Sequence, residues 1–172
     1  MEGLWVYQNL NVLNTTLLGQ IAKSPDHRAR AAALRVADQW SSMLPDGGMG
    51  LMTRGVRDEH PRVRLEAIRG LSTVGTQTAA VEAMKSLEQP MDDFLEFALW
   101  ATMRDLRDRW LPAVQAGRLD FEGDVAKLSY ALRAVEAPEV VKPILTLLRQ
   151  GKVEPARPVS YTHLTLPTTY HV

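Results

Sequence analysis

The sequence predicts an all-α protein, an α-solenoid of stacked antiparallel helix pairs, and three observations carry that expectation. The first is an internal echo. At an offset of 34 residues, "HRARAAALRVA" (27–37) overlies "PRVRLEAIRGL" (61–71), matching Arg28 with Arg62, Arg30 with Arg64, Ala33 with Ala67, Leu34 with Ile68 and Arg35 with Arg69. A looser copy starts at Pro90 with "PMDDFLEFALWATM", and a fourth lies at 123–135, "GDVAKLSYALRAV". The second is periodicity: Val63, Ala67, Leu71 and Val74 recur at helical spacing, with Leu65 and Ile68 widening the stripe. The third is the lack of any window with convincing two-residue alternation, so no strand is expected. One helix pair cannot bury its own apolar face, whereas stacked pairs share a continuous core.

Taken in order, the expected pairs are 3–12 with 15–23, 26–43 with 47–57, 60–74 with 77–88, 91–108 with 110–116, and 123–136 with 138–150. The turn within the second pair is "PDGGMG" (45–50), which has no preceding strand and no following Lys-Ser/Thr, so it is not a phosphate loop. Pro61 suits the first turn of helix 60–74, where a missing N–H has no cost, and Gly75 can close that helix. The next helix carries Ala80, Val81, Met84 and Leu87 on its apolar side and is stopped by Pro90. On the 60–74 helix, Arg62, Glu66 and Arg69 are expected to face solvent, while Val63, Ala67, Ile68, Leu71, Val81, Met84, Leu99 and Trp100 are expected in the core. Helix 138–150 should carry an apolar face of Val140, Ile144, Leu147 and Leu148.

Composition narrows the function classes. The 172 residues are the length of one domain, with 20 basic and 20 acidic side chains and no cysteine. Zero net charge argues against an electrostatic nucleic-acid or membrane binder. Without cysteine the chain has no disulfide, thiolate metal site, Cys nucleophile or covalent haem attachment of its own. No apolar run approaches the ~20 residues that span a bilayer. The N-terminus "MEGLWVYQNLNVLN" lacks the basic start and cleavage site of a signal peptide. Either the protein stays inside, or Met1 is internal to a longer natural chain.

The element "VRLEAIRGLSTVG" (63–75) followed by "AAVEAM" (79–84) resembles HEAT-like repeats, and "ARAAALRVA" (29–37) does so less completely. The resemblance implies an inter-repeat ladder of an Asp before the first helix and an Arg inside it. Asp26, Arg30 and Arg64 occupy those places, while His60 stands where a second Asp would be, leaving the ladder incomplete. More specifically, "LWVYQNLNVLN" (4–14), "SPDHRARAAALRVADQW" (24–40), "DEHPRVRLEAIRGLS" (58–72) and "QPMDDFLEFALWATMRDLRDRWLPAV" (89–114) occur in this order. Together they resemble the helical region of large exported planctomycete proteins described as membrane-bound dehydrogenases or haem-binding proteins. That family implies a β-propeller upstream, a c-type haem site of the Cys-x-x-Cys-His kind elsewhere in the larger protein, and a periplasmic or cell-envelope location. It transfers no catalytic, cofactor-binding or metal-ligating residue to this segment.

Other constellations read as structural. His27 and His60 each begin a repeat's first helix with no second ligand at i+3 or i+4, which favours capping over metal binding. Trp5, Trp40, Trp100 and Trp110 read as core and inter-repeat plugs, the alternative being a stacking platform for bases or sugars. Asp92, Asp93 and Glu96 open a long helix, where negative charge favours the helix dipole over paired acid/base work. "RDLRDRW" (104–110) alternates in sign and reads as a solvated face. The Arg-rich repeat starts could form a shallow basic strip for an acidic partner, largely cancelled by nearby carboxylates.

The C-terminus departs from the rest. Val159–Val172 contains no Lys, Arg, Asp or Glu, and "VSYTHLTLPT" (159–168) resembles a translated sequencing adapter. The expected division is therefore a solenoid over 1–154, cut from a longer chain, and a non-native irregular tail over 155–172. Functionally, the expectation is a non-catalytic HEAT-repeat scaffold or docking segment of a larger multidomain redox protein. It needs no cofactor of its own, does not insert into a membrane, and has a protein or neighbouring domains of the same chain as partner. The alternative is a stand-alone protein–protein interaction module.

Overall fold

A computed structural model of the chain describes residues 2–135. Among these residues every regular element is a helix: α1 (Glu2–Asn9), α2 (Thr15–Ile21), α3 (His27–Gln39), α4 (Met49–Gly55), α5 (Pro61–Val74), α6 (Gln77–Met84), α7 (Asp93–Asp105), α8 (Arg107–Gln115) and α9 (Val125–Ala134). The expected helix 138–150 and the tail 155–172 lie outside the described residues.

Short polar side chains start most of these helices. Asn14, Asp26, Thr76, Asp92 and Asp124 each accept a hydrogen bond from a backbone N–H of the first turn, which otherwise has no partner. His60 does the same for α5 through Nδ1, and Pro61 follows it as the first helical residue. Gly75 closes α5 in the left-handed region, at φ 71°.

Helix 26–43 is shorter than expected and ends at Gln39. Pro45 restrains Leu44 to extended backbone (φ −85°, ψ 144°), and the chain crosses to α4 through two 3₁₀ turns, Ser41–Met43 and Pro45–Gly48. Asp46, Gly47 and Gly48 all have positive φ there. The second helix of the next pair also tightens, giving a 3₁₀ turn at Lys85–Glu88.

Packing follows chain order with a skip of two. α3 packs on α5, α5 on α7 and α7 on α9, while α4 packs on α5 and α6, and α6 on α8. One continuous core runs through them, including Leu34, Trp40, Met52, Ile68, Leu71, Met84, Leu99, Met103 and Trp110. The indole N–H of Trp110 donates to the Met103 carbonyl at 2.9 Å, and its ring meets Phe121 edge-on.

Three expectations about burial need correction. Glu66 is buried rather than solvent-facing, because α3 covers that side of α5 and brings Arg35 onto its carboxylate. Trp100 and Trp5 remain 36% and 48% exposed, so neither is a buried plug, whereas Trp40 and Trp110 are fully buried. Val81 is only partly buried, packed on the margin of the core. Val63, Ala67, Ile68, Leu71, Met84 and Leu99 are buried, and Arg62 and Arg69 are exposed.

Gly55 marks where three helices come closest. A Cβ built there would stand 2.5 Å from Leu34 Cδ1 and 2.8 Å from the Ala67 Cβ. The Leu34 tip can rotate, but the Ala67 methyl moves only with the α5 backbone. Gly55→Ala gains about 0.5–1 kcal/mol of helix preference and meets an overpacking cost of about 1–3 kcal/mol. We expect a net loss of stability in chemical denaturation. A raised melting temperature would show that α4 and α5 separate without cost.

Candidate interaction surface and the inter-helix ladder

The polar groups of the fold are arranged across the helix–helix seams. The Arg30 guanidinium on α3 meets Asp58, in the loop before α5, through two parallel hydrogen bonds: Nε to Oδ2 at 2.7 Å and Nη2 to Oδ1 at 2.8 Å. Its Nη1 donates backwards to the carbonyls of Ser24 and Pro25, both at 3.0 Å. Arg64 on α5 repeats this pattern 34 positions on. Its Nη1 donates to the carbonyls of Asp58 (2.9 Å) and Glu59 (3.0 Å) and reaches the Gln89 side chain, while Nη2 donates to the Pro90 carbonyl at 2.6 Å. Each arginine thus ties the loop before its own helix to the loop before the helix two further on, α3 to α5 and α5 to α7.

Of the three residues placed on the ladder from sequence, Arg30 and Arg64 hold corresponding positions. Asp26 does not face Arg30 across a seam. It caps α3 through the Arg28 N–H at 2.8 Å and approaches His27 at 3.9 Å. The acid that meets Arg30 across the α3–α5 seam is Asp58, which lies outside the three ladder positions expected from sequence. Asp58 stands 34 residues after Ser24, and the loop 58–61 (Asp-Glu-His-Pro) matches 24–27 (Ser-Pro-Asp-His) at no position, so the echo carries no signal for it. His60, at the position corresponding to Asp26, stacks on His27 with ring centroids 3.6 Å apart and planes inclined by 10°.

Further charged groups reinforce the seams. Buried Glu66 receives Arg35 from α3, and Arg69 lies at 3.4 Å on its other oxygen. Glu82 pairs with Arg57 (3.0 Å) and Lys85 (2.9 Å), and Lys85 also reaches Glu122 at 3.3 Å. Lys127 on α9 pairs with Glu88 at 2.6 Å. Burial alone would push the Asp58 and Glu82 carboxyls up. The hydrogen bonds and charges of Arg30 and the His60 N–H outweigh this at Asp58, as Lys85 and Arg57 do at Glu82, and both carboxyls sit below their usual range. The Asp58 hydrogen bond raises Arg30, and the Glu82 hydrogen bond raises Lys85.

Two surface features remain after these pairings. Arg28 and Arg62 are exposed at corresponding positions on α3 and α5. On α7, Phe94, Phe97 and Trp100 are exposed at i, i+3 and i+6, opposite the buried Leu95, Leu99 and Met103. Phe97 and Trp100 stack at 5.8 Å, and the Arg104 guanidinium lies 4.6 Å above the Trp100 ring. Asp93 and Glu96, also exposed, lie in the first turn of this helix. Arg62→Ala, removing an exposed side chain at no seam, should change the unfolding free energy by less than about 0.5 kcal/mol. A larger loss in urea denaturation would place Arg62 in the packing.

Among the described residues no group of three or more His, Cys, Asp or Glu is placed to hold a metal ion, and no helix is long and apolar enough to cross a membrane. Comparison with protein-family profiles, curated proteins and solved structures gives no match.

Proposed function

We propose that this chain is a non-catalytic helical-repeat scaffold, a HEAT-like α-solenoid segment that spaces or docks other domains of a larger redox protein. The observation that carries the reading is the recurrence of one arginine clamp at Arg30 and Arg64, with the same carbonyl partners at i−6 and i−5, at the 34-residue sequence spacing. A contact that repeats with the sequence belongs to a stacked-repeat architecture, in which each unit is fixed mainly to its neighbours. The packing of α3, α5, α7 and α9 in succession, with α4, α6 and α8 beside them, supports the same arrangement. Arg30, Arg35, Arg57, Arg64 and Lys127 each join one helix or its entry loop to another. A c-type haem, if the larger protein carries one, belongs to another part of it, and the cell envelope is the compartment this reading entails.

The test is the uninterrupted coding frame on both sides. A β-propeller upstream and a Cys-x-x-Cys-His segment elsewhere in the same frame would support the reading. In-frame stops bounding a short, self-contained helical protein would replace it with the stand-alone interaction module.

A further inference from the structure

The arginine clamp differs between its two positions. In each, Nη1 turns back to two carbonyls of the loop before its own helix. The other edge of the guanidinium, Nε with Nη2, is what faces the loop beyond. At Arg30 that edge meets both oxygens of Asp58. At Arg64, Nη2 donates to the Pro90 carbonyl at 2.6 Å, and Nε reaches no acceptor among the described residues. Gln89 Oε1 accepts from Nη1, and Gln89 Nε2 donates to the Arg57 carbonyl at 3.0 Å, so this neighbour is neutral too. The difference lies in one residue. Asp58 stands two positions before the His60 cap of α5, and its Oδ1 also accepts the His60 N–H. Two positions before the Asp92 cap of α7 stands Pro90, which has no side-chain acceptor. Arg64 is nevertheless only 2% exposed, and a guanidinium buried without a carboxylate is costly.

We propose that the contact between α5 and α7 is the yielding seam of the fold, the place where it opens first, and that Pro90 makes it so by standing where the α3–α5 seam carries its acid. α3 and α5 are joined by a second charged pair as well, Arg35 on the buried Glu66. α5 meets α7 through hydroxyls instead: Thr102 Oγ1 donates to the Ile68 carbonyl at 3.2 Å, and Ser72 Oγ donates to Asp105 at 2.9 Å. The charged links of α9 and the loop before it run to the 3₁₀ turn Lys85–Glu88, through Lys127 to Glu88 and Glu122 to Lys85. That turn therefore moves with α7, α8 and α9, and the boundary falls between it and α6. Apolar packing of α6 on α7 and α8 closes the same boundary. Parting α3 from α5 separates ion pairs. Parting α5 from α7 at the clamp breaks hydrogen bonds to neutral acceptors and lets water reach a buried cation, which offsets part of the loss. The inference does not rest on the scaffold reading, since it uses only the two unequal clamps.

The experiment is native-state hydrogen exchange of the full chain at neutral pH in low urea, read helix by helix by mass spectrometry. In the wild-type chain, the amides of α7 should exchange through an opening that leaves α3 and α5 protected, with protection lower by about tenfold or more. Pro90→Asp places a carboxylate at the position equivalent to Asp58. It should slow exchange in α7 about tenfold relative to Pro90→Asn, which has the same size and no charge, while α3 exchanges alike in the two variants. Pro90 is exposed, so neither substitution enters the core, and the helical circular dichroism of both should match the wild type. Protection of α7 equal to that of α3 and α5 would show a single cooperative unit and overturn the proposal. So would equally fast α7 exchange in the Asp and Asn variants, or a slowing that extends equally to α3.

Discussion

Truncating Leu71 to alanine should lower the unfolding free energy by about 2–5 kcal/mol, the cost of removing a large buried aliphatic side chain and leaving a cavity. Leu71 is fully excluded from solvent in α5. That helix packs on α3, α4, α6 and α7, so its inner side is enclosed by four neighbours. Collapse into the vacated volume would have to shift several of them, and Gly70 next to it already lies against the end of Met52. A buried leucine whose surroundings relax easily belongs at the low end of the range, and this one belongs toward the upper end. Urea denaturation reads the effect as a lower midpoint with an unchanged slope. A loss below about 0.5 kcal/mol would mean that α5 presents a different side to the core.

The stripe to which Leu71 belongs was legible in sequence because a helix buries what recurs every three to four residues, whatever it packs against. The 34-residue echo likewise marks 27–37 and 61–71 as corresponding segments, and both are helical, in α3 and α5. What sequence did not reveal depends on neighbours rather than on the helix itself. Glu66 has the spacing of a solvated residue, yet α3 lies over it and supplies Arg35, so the charge is buried and satisfied. Trp100 lies between Leu99 and Ala101 in what reads as an apolar helical stripe, which is why the core is expected to hold it. The geometry of α7 turns it outward with Phe94 and Phe97. Asp58 was missed for a different reason. It lies in a loop, where periodicity carries no information, and the ladder that the HEAT-like resemblance implies falls on the capping positions Asp26 and His60. Only the fold shows that the arginine reaches past its own cap to the acid two residues before the next one.

Removing that acid should have the second large effect. The Arg30 and Asp58 side chains are each only 14% exposed and form two charge-assisted hydrogen bonds. Asp58→Ala leaves the guanidinium partly buried with its carbonyl partners and the exposed Glu59 carboxylate at 3.6 Å, and removes the acceptor for the His60 N–H. An exposed ion pair contributes at most about 1 kcal/mol, whereas stripping one partner from a buried pair costs about 3–5 kcal/mol. This half-enclosed pair should fall between, on the order of 2–4 kcal/mol at neutral pH. The sign of the pH dependence follows from the carboxyl being held below its usual range in the folded protein. Its contribution is fully present above the unfolded value near pH 4 and is lost as pH falls through the lower folded value. Arg30, raised in the fold, would lose its part only in strong alkali. Wild type and Asp58→Asn should therefore differ most above about pH 4 and converge below it. Parallel urea titrations at neutral and acid pH measure that convergence, and a double-mutant cycle with Arg30→Met isolates the coupling. A stability gap that stays constant down to acid pH would assign the loss to packing of the loop rather than to the charge, and a coupling near zero would remove the pair from the forces joining α3 to α5.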